Sequence, residues 1–93
     1  MLNNIWHLPN ELVISDIDAI KQSATDNFLE SPELTIDCSE LERIDTIGMQ
    51  FLLVFVLKRT KNNNKTLWQN LSETLLLSIE QLGIDKNNLA ITS

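Results

Sequence analysis

Ninety-three residues, 43% apolar and 22% charged, describe one small globular domain, 1–93, whose core buries roughly 60–65% of the unfolded surface. A single cysteine excludes an internal disulfide and a cysteine-rich zinc site, and two glycines leave no glycine-rich phosphate cradle. The net charge of −6 argues against a nucleic-acid surface, and no apolar run approaches the ~20 residues that cross a bilayer.

Ile5 to Leu8 reads as a short strand closed by the Pro9-Asn10 turn, and Leu12-Val13-Ile14 as a second extended piece. Ser15 and Asp16, with Asp18 behind them, can cap a helix. Ile17, Ile20, Ala24 and Phe28 recur at spacings of three and four, which predicts a helix to about Leu29, broken by Ser31-Pro32. Leu34 to Cys38 alternates with period two and predicts a strand with Cys38 pointing inward as a buried, structural thiol. A loop from Ser39 to Asp45 leads into a helix from about Thr46 to Lys61, stopped by Asn62-Asn63-Asn64. Thr66 to Gln69 is a further strand. Ser72 caps a last helix carrying Leu75, Leu76, Ile79 and Leu82, and Gly83 stops it. Ile84 to Ser93 is expected as a short strand or a fraying tail. Strands alternating with helices imply an α/β fold on a mostly parallel sheet.

The charges are unevenly spread. Residues 1–57 hold ten acidic and two basic side chains, whereas Lys58, Arg59, Lys61 and Lys65 cluster behind the apolar run. Cations there complement a helix C-terminus. His7 has no neighbour spaced as a metal ligand or triad member, and no catalytic constellation or metal site is expected. Asp37 is assigned to capping a strand end or loop, and Trp6 and Trp68 to packing.

The central helix has apolar residues to spare. At 100° per residue, Met49, Leu52, Leu53, Val56, Leu57 and Thr60 share a face that would lie on the sheet. Phe51, Val54 and Phe55 fall opposite, where a surface helix carries polar residues. Either neighbouring helices bury them or they form a partner-binding patch. At the entrance to this helix stands Thr46, in the run Ser39 to Gly48. A hydroxyl at a helix mouth suits a phosphate or a plain N-cap, and both readings stay open. Glu40, Glu42 and Arg43 make a mixed charged loop beside it, with Glu42 and Arg43 assigned to partner contact.

The pattern resembles the STAS domain family, found in bacterial anti-sigma factor antagonists and at the ends of sulfate transporters. The matching pieces are Leu8-Pro9-Asn10-Glu11-Leu12, Leu34-Thr35-Ile36-Asp37-Cys38-Ser39, Ile44-Asp45-Thr46-Ile47-Gly48 and Ile79-Glu80-Gln81-Leu82-Gly83-Ile84. The resemblance runs from about Leu8 to Asp85 and includes the family's Asp-Ser/Thr-x-Gly motif. It implies an α/β sandwich: a mixed, mostly parallel sheet of about four to five strands with three to four helices packed on one face. It implies a non-enzymatic module, without a cofactor, that binds a serine/threonine kinase of the anti-sigma type or another signalling protein. Thr46 would be the phosphoacceptor, supported by Asp45, Ile47 and Gly48. The alternatives it carries are an unswitched accessory subunit of an ABC-type ATPase, of the phospholipid-trafficking type, and a chemotaxis-associated adaptor. A homodimer is left open. A cytoplasmic location is expected, with no signal peptide and no membrane insertion.

Overall fold

The computed structural model describes residues 4–91. Its elements in order are β1 (Asn4–His7), β2 (Glu11–Leu12), a 3-10 turn (Ile14–Asp16), α1 (Ile17–Asn27), β3 (Glu33–Asp37), β4 (Arg43–Ile44), α2 (Thr46–Lys61), β5 (Lys65–Gln69), α3 (Glu73–Leu82) and a second 3-10 turn (Lys86–Leu89). The α/β architecture expected above is what the chain adopts. Its five strands divide into a three-stranded sheet, β1-β3-β5, and a two-stranded pair, β2-β4, and every ladder is parallel.

Register separates the two faces of the larger sheet. Trp6, Ile36 and Trp68 form one cross-strand row, and Leu34 and Thr66 lie in the row before it on the same face. All of these but the half-buried Trp68 are buried. The ring of Trp6 stacks on Phe28 at 5.7 Å and meets Phe55 and Phe51 of α2 at 5.1 and 6.1 Å. The next row, Ile5, Thr35 and Leu67, points the other way, and Ile5 and Leu67 stay 45% and 37% exposed. The helices therefore cover one face only, a departure from the usual two-sided burial of parallel sheets.

Helix ends follow local chemistry. Ser72 Oγ accepts from the Leu75 N–H at 3.1 Å, and Gly83 closes α3 at φ 66°. Asn63 takes the left-handed conformation that ends α2, at φ 63°, and the Asn64 N–H returns to the Arg59 carbonyl at 2.8 Å. At α1 the expected side-chain cap is absent: Ile14–Asp16 winds into the helix as a 3-10 turn.

Other expectations are corrected. The loop from Ser39 to Asp45 contains β4, which pairs Arg43 with Glu11 and Ile44 with Leu12. The C-terminal segment is neither strand nor fraying tail as far as residue 91. It forms a 3-10 turn that buries Leu89 and Ile91, and the Leu89 carbonyl accepts from Trp68 Nε1 at 2.6 Å; residues 92 and 93 lie outside the described residues. Arg59 stands in the last turn of α2, as the charge pattern indicates, but is fully buried. The apolar face of α2 is turned by about 60° from the expected one, since Met49, Leu52, Phe55, Val56 and Arg59 face the core. Phe55 is 3% exposed, whereas Leu57, expected on the sheet, is 43% exposed.

Candidate functional site

The mouth of α2 is organised by Asp45. Its carboxylate bridges two segments: Oδ1 accepts from the Gly48 N–H at 2.8 Å and Oδ2 from the Ile14 N–H at 2.8 Å. Asp45 is therefore the N-cap, and Thr46 is the first residue of the helix. Two adjacent residues could each have served as cap. The extended backbone of Asp45 (φ −102°, ψ −179°) settles which one does. The Asp45 N–H and carbonyl are also engaged, donating to the Leu12 carbonyl at 3.3 Å and accepting from the Met49 N–H at 3.0 Å. Hydrogen bonds from the Gly48 and then the Ile14 N–H hold the carboxyl below its ordinary pKa.

Gly48 sits at a point of close approach. A Cβ there would stand 2.1 Å from the Leu12 carbonyl oxygen and 3.1 Å from Ile44 Cγ1. The first turn of α2 thus lies directly on the β2-β4 pair. Thr46 is exposed, and so are Ile14 and Ile47 on either side of the mouth. The mouth offers an added anion one free amide fewer, because Asp45 already takes the Gly48 N–H. The sequence marks Leu12 and Ile14 as part of an extended segment and not as part of this mouth. Their part arises from the parallel pairing of two-residue strands, which leaves no periodic signal.

The remaining candidates lie on the loop before this mouth and along α2 behind it. Glu42 is exposed, and its carbonyl accepts from Thr74 Oγ1 at 3.3 Å. Arg43 is exposed and paired with Glu11 at 3.0 Å across β2-β4. Phe51 is half-buried between Trp6 and Phe55, at centroid distances of 6.1 and 5.7 Å. Val54 is 49% exposed. Phe55 stands apart from the other partner-binding candidates because its ring is in the core.

Asp37 forms a second bracket, away from Thr46. Oδ1 accepts from the Ser39 N–H at 2.7 Å, and Oδ2 accepts from Gln69 Nε2 at 2.8 Å and Asn70 Nδ2 at 3.3 Å. These bonds, the Ser39 amide first, hold it far below the usual carboxylate range. It ties the end of β3 to the end of β5. Cys38 is buried, and that burial pushes its thiol up to about 11, so it is protonated at neutral pH. Among the described residues no three His, Cys, Asp or Glu side chains gather as a metal site, and no helix is long and apolar enough to cross a membrane.

Both depressed carboxyls make stability depend on acid. Each ionises more readily folded than unfolded, so its contribution is present above the ordinary value of 3.8 and is lost as pH falls through and below it. Asp45→Asn keeps one cap acceptor for Gly48 but offers an NH2 group where Ile14 needs an acceptor. The variant is expected to melt below the parent at pH 7 and to lose less on acidification. Thermal melts from pH 7 to pH 3 check this; an unchanged neutral melting temperature would remove the bridge from the account.

A small α/β layer with an exposed hydroxyl beside a carboxylate-capped helix mouth is the class of domain these features define. The family model for the STAS domain matches residues 3–92, and the chain belongs to that family. Its members are in general non-enzymatic modules of protein interaction and regulation. No curated protein matches the chain. Among solved structures, the crystal structure of a sulfate transporter family protein from Wolinella succinogenes is similar with a TM-score of 0.72 and 16% identity, over 92% of this chain and 70% of that one. At that identity the likeness carries the fold alone.

Proposed function

We propose that this chain is a regulatory docking module whose partner, a serine/threonine kinase of the anti-sigma type or another signalling protein, binds over the mouth of α2 and is released when Thr46 is phosphorylated. The observation that carries the reading is the position of Thr46: exposed, on the first turn of α2, flanked by the exposed side chains of Ile14 and Ile47. Apolar side chains around a polar centre suit a protein interface.

A phosphate at Thr46 adds about −1.5 to −2 charges next to the ionised Asp45. Two outcomes compete there. The helix N-terminus favours the added anion, while Asp45 repels it. Because Asp45 also holds the Ile14 N–H, relief of that repulsion loosens the segment between β2 and α1 along with the helix mouth. The modification would thus alter both the charge and the shape of the surface the partner meets. Glu42 extends that surface along the loop, and Arg43, paired with Glu11, fixes its edge.

The test uses the partner captured with the unmodified protein. Thr46→Ala is expected to bind it within about threefold of the parent, and Thr46→Glu to bind at least about tenfold more weakly, or about 1.4 kcal/mol. Equal binding by Thr46→Glu would discard the switch and favour an unswitched accessory subunit, such as one serving an ABC-type ATPase.

A further inference from the structure

Between α1 and α2 runs a groove of about 290 Å³, with Ile17, Ile47, Phe51 and Val54 on its apolar walls and Lys21 and Lys58 at its rims. None of the residues lining it is acidic, in a chain with thirteen acidic and seven basic residues. Both lysines are exposed, and neither joins an ion pair among the described residues, where Arg43 and Lys65 have taken Glu11 and Glu33. The groove is thus a locally cationic, apolar slot on an acidic protein.

We infer that this groove receives an acidic amphipathic helix of a protein partner, with apolar side chains between α1 and α2 and carboxylates on Lys21 and Lys58. The inference rests on the docking reading above and extends it from the helix mouth along the flank of α2. Two features select a helix. The α2 wall, from Ile47 to Lys58, spans about three turns and about 16 Å, room for three turns of a second helix. The two cations also stand at different levels. Arg59 bonds the Phe28 and Leu29 carbonyls, which sets the C-terminal end of α1 beside Lys58. Lys21 lies eight residues before Leu29, about 12 Å back along the axis. One lipid headgroup cannot reach both, whereas glutamates flanking the apolar stripe of a helix can.

The probe is a synthetic helix of about 18 residues with leucines at i, i+3, i+4 and i+7 and glutamates on both flanks. Its counterpart carries lysines in place of the glutamates. In amide NMR titrations of the full chain, the glutamate peptide is expected to shift Lys21, Thr25, Gln50, Val54 and Lys58 and to bind at least about tenfold more tightly than the lysine peptide. Lys21→Glu/Lys58→Glu, two exposed substitutions that leave the core intact, is expected to reverse that preference. Val54→Glu, which puts a carboxylate in the slot itself, is expected to weaken the glutamate peptide with the two lysines in place. Equal binding of the two peptides, no binding of either, or shifts on the open face around Ile5 and Leu67 would overturn the inference. So would tighter occupation of the same groove by dodecanoate, which would assign it to a single-chain lipid. If the peptides fail while Thr46→Glu still releases the captured partner, the groove inference falls and the helix-mouth reading stands.

Discussion

Arg59→Met is expected to cost about 3–5 kcal/mol, a large part of the ~5–10 kcal/mol that holds a domain of this size together. Arg59 is 0% exposed and joins no ion pair among the described residues. It is surrounded by acceptors instead. Nε donates to Thr66 Oγ1 at 2.9 Å, Nη1 to the carbonyls of Phe28 at 2.7 Å, Ser31 at 2.8 Å and Leu29 at 3.3 Å, and Nη2 to the Lys65 carbonyl. The Phe28, Leu29 and Ser31 carbonyls lie just past α1, where a helix leaves acceptors without donors and presents its negative end. Burial pulls the Arg59 pKa down, yet a guanidinium starts high enough to stay charged.

Methionine fills much of the volume but supplies no donor. The Phe28 carbonyl keeps the Ser31 N–H and the Leu29 carbonyl keeps Asn64 Nδ2, but the Ser31 and Lys65 carbonyls and Thr66 Oγ1 each lose the Arg59 donor. Lysine offers three donors from one point and cannot reproduce the planar fork, so Arg59→Lys is expected to recover little. Urea unfolding measures the loss, and the melting temperature should fall by roughly 15–30 °C. A melting temperature within a few degrees of the parent would mean that these bonds do not hold α1, α2 and β5 together.

Gly48→Ala is the second large effect, and intrinsic preference alone gives it the opposite sign. In an unobstructed helix, alanine stabilises relative to glycine by about 1 kcal/mol. Here the new methyl group would lie 2.1 Å from the Leu12 carbonyl oxygen and 3.0 Å from the Leu12 carbonyl carbon. These are main-chain atoms, held by the Leu12–Ile44 pairing and by the Asp45 N–H on the same carbonyl. Neither can withdraw without opening β2-β4 or the helix mouth. A net loss of about 2–3 kcal/mol is expected, a drop of roughly 10–20 °C in melting temperature. A stabilised Gly48→Ala would place the first turn of α2 farther from β2 than described here. The same substitution should disturb Asp45 and Thr46, because Gly48 donates the capping bond.

What the sequence made legible follows from which interactions are local. The bounds of α2 and α3 could be read because their signals lie within a few residues: Ser72 at one start, Gly83 at one end, the asparagine run after Lys61. Strand β3 was legible from its period of two, and Asp37 and the tryptophans fell where their chemistry indicated. The parallel pair β2-β4 was hidden, since two residues on each side carry no periodicity and the partner lies some thirty positions away. The C-terminal 3-10 turn was hidden for a similar reason: only the space beside α2 and Trp68 accounts for the burial of Leu89. The orientation of α2 was misjudged because Phe51, Val54 and Phe55 make a second apolar face, and Arg59, placed with the cations of the helix C-terminus, also belongs to the buried stripe. At the candidate site the motif falls at the mouth of α2, but the order Asp-Thr could not say which residue caps the helix and which opens its first turn.

In the proposed switch, modification of Thr46 governs docking at the helix mouth. The most direct measurement takes the protein from its native host, separates the partner-bound from the free fraction, and quantifies phosphate on the Thr46 peptide in each by mass spectrometry, with and without phosphatase. Phosphate confined to the free fraction is the predicted result. A Thr46 peptide without phosphate in both fractions, or phosphorylated equally in both, would contradict it.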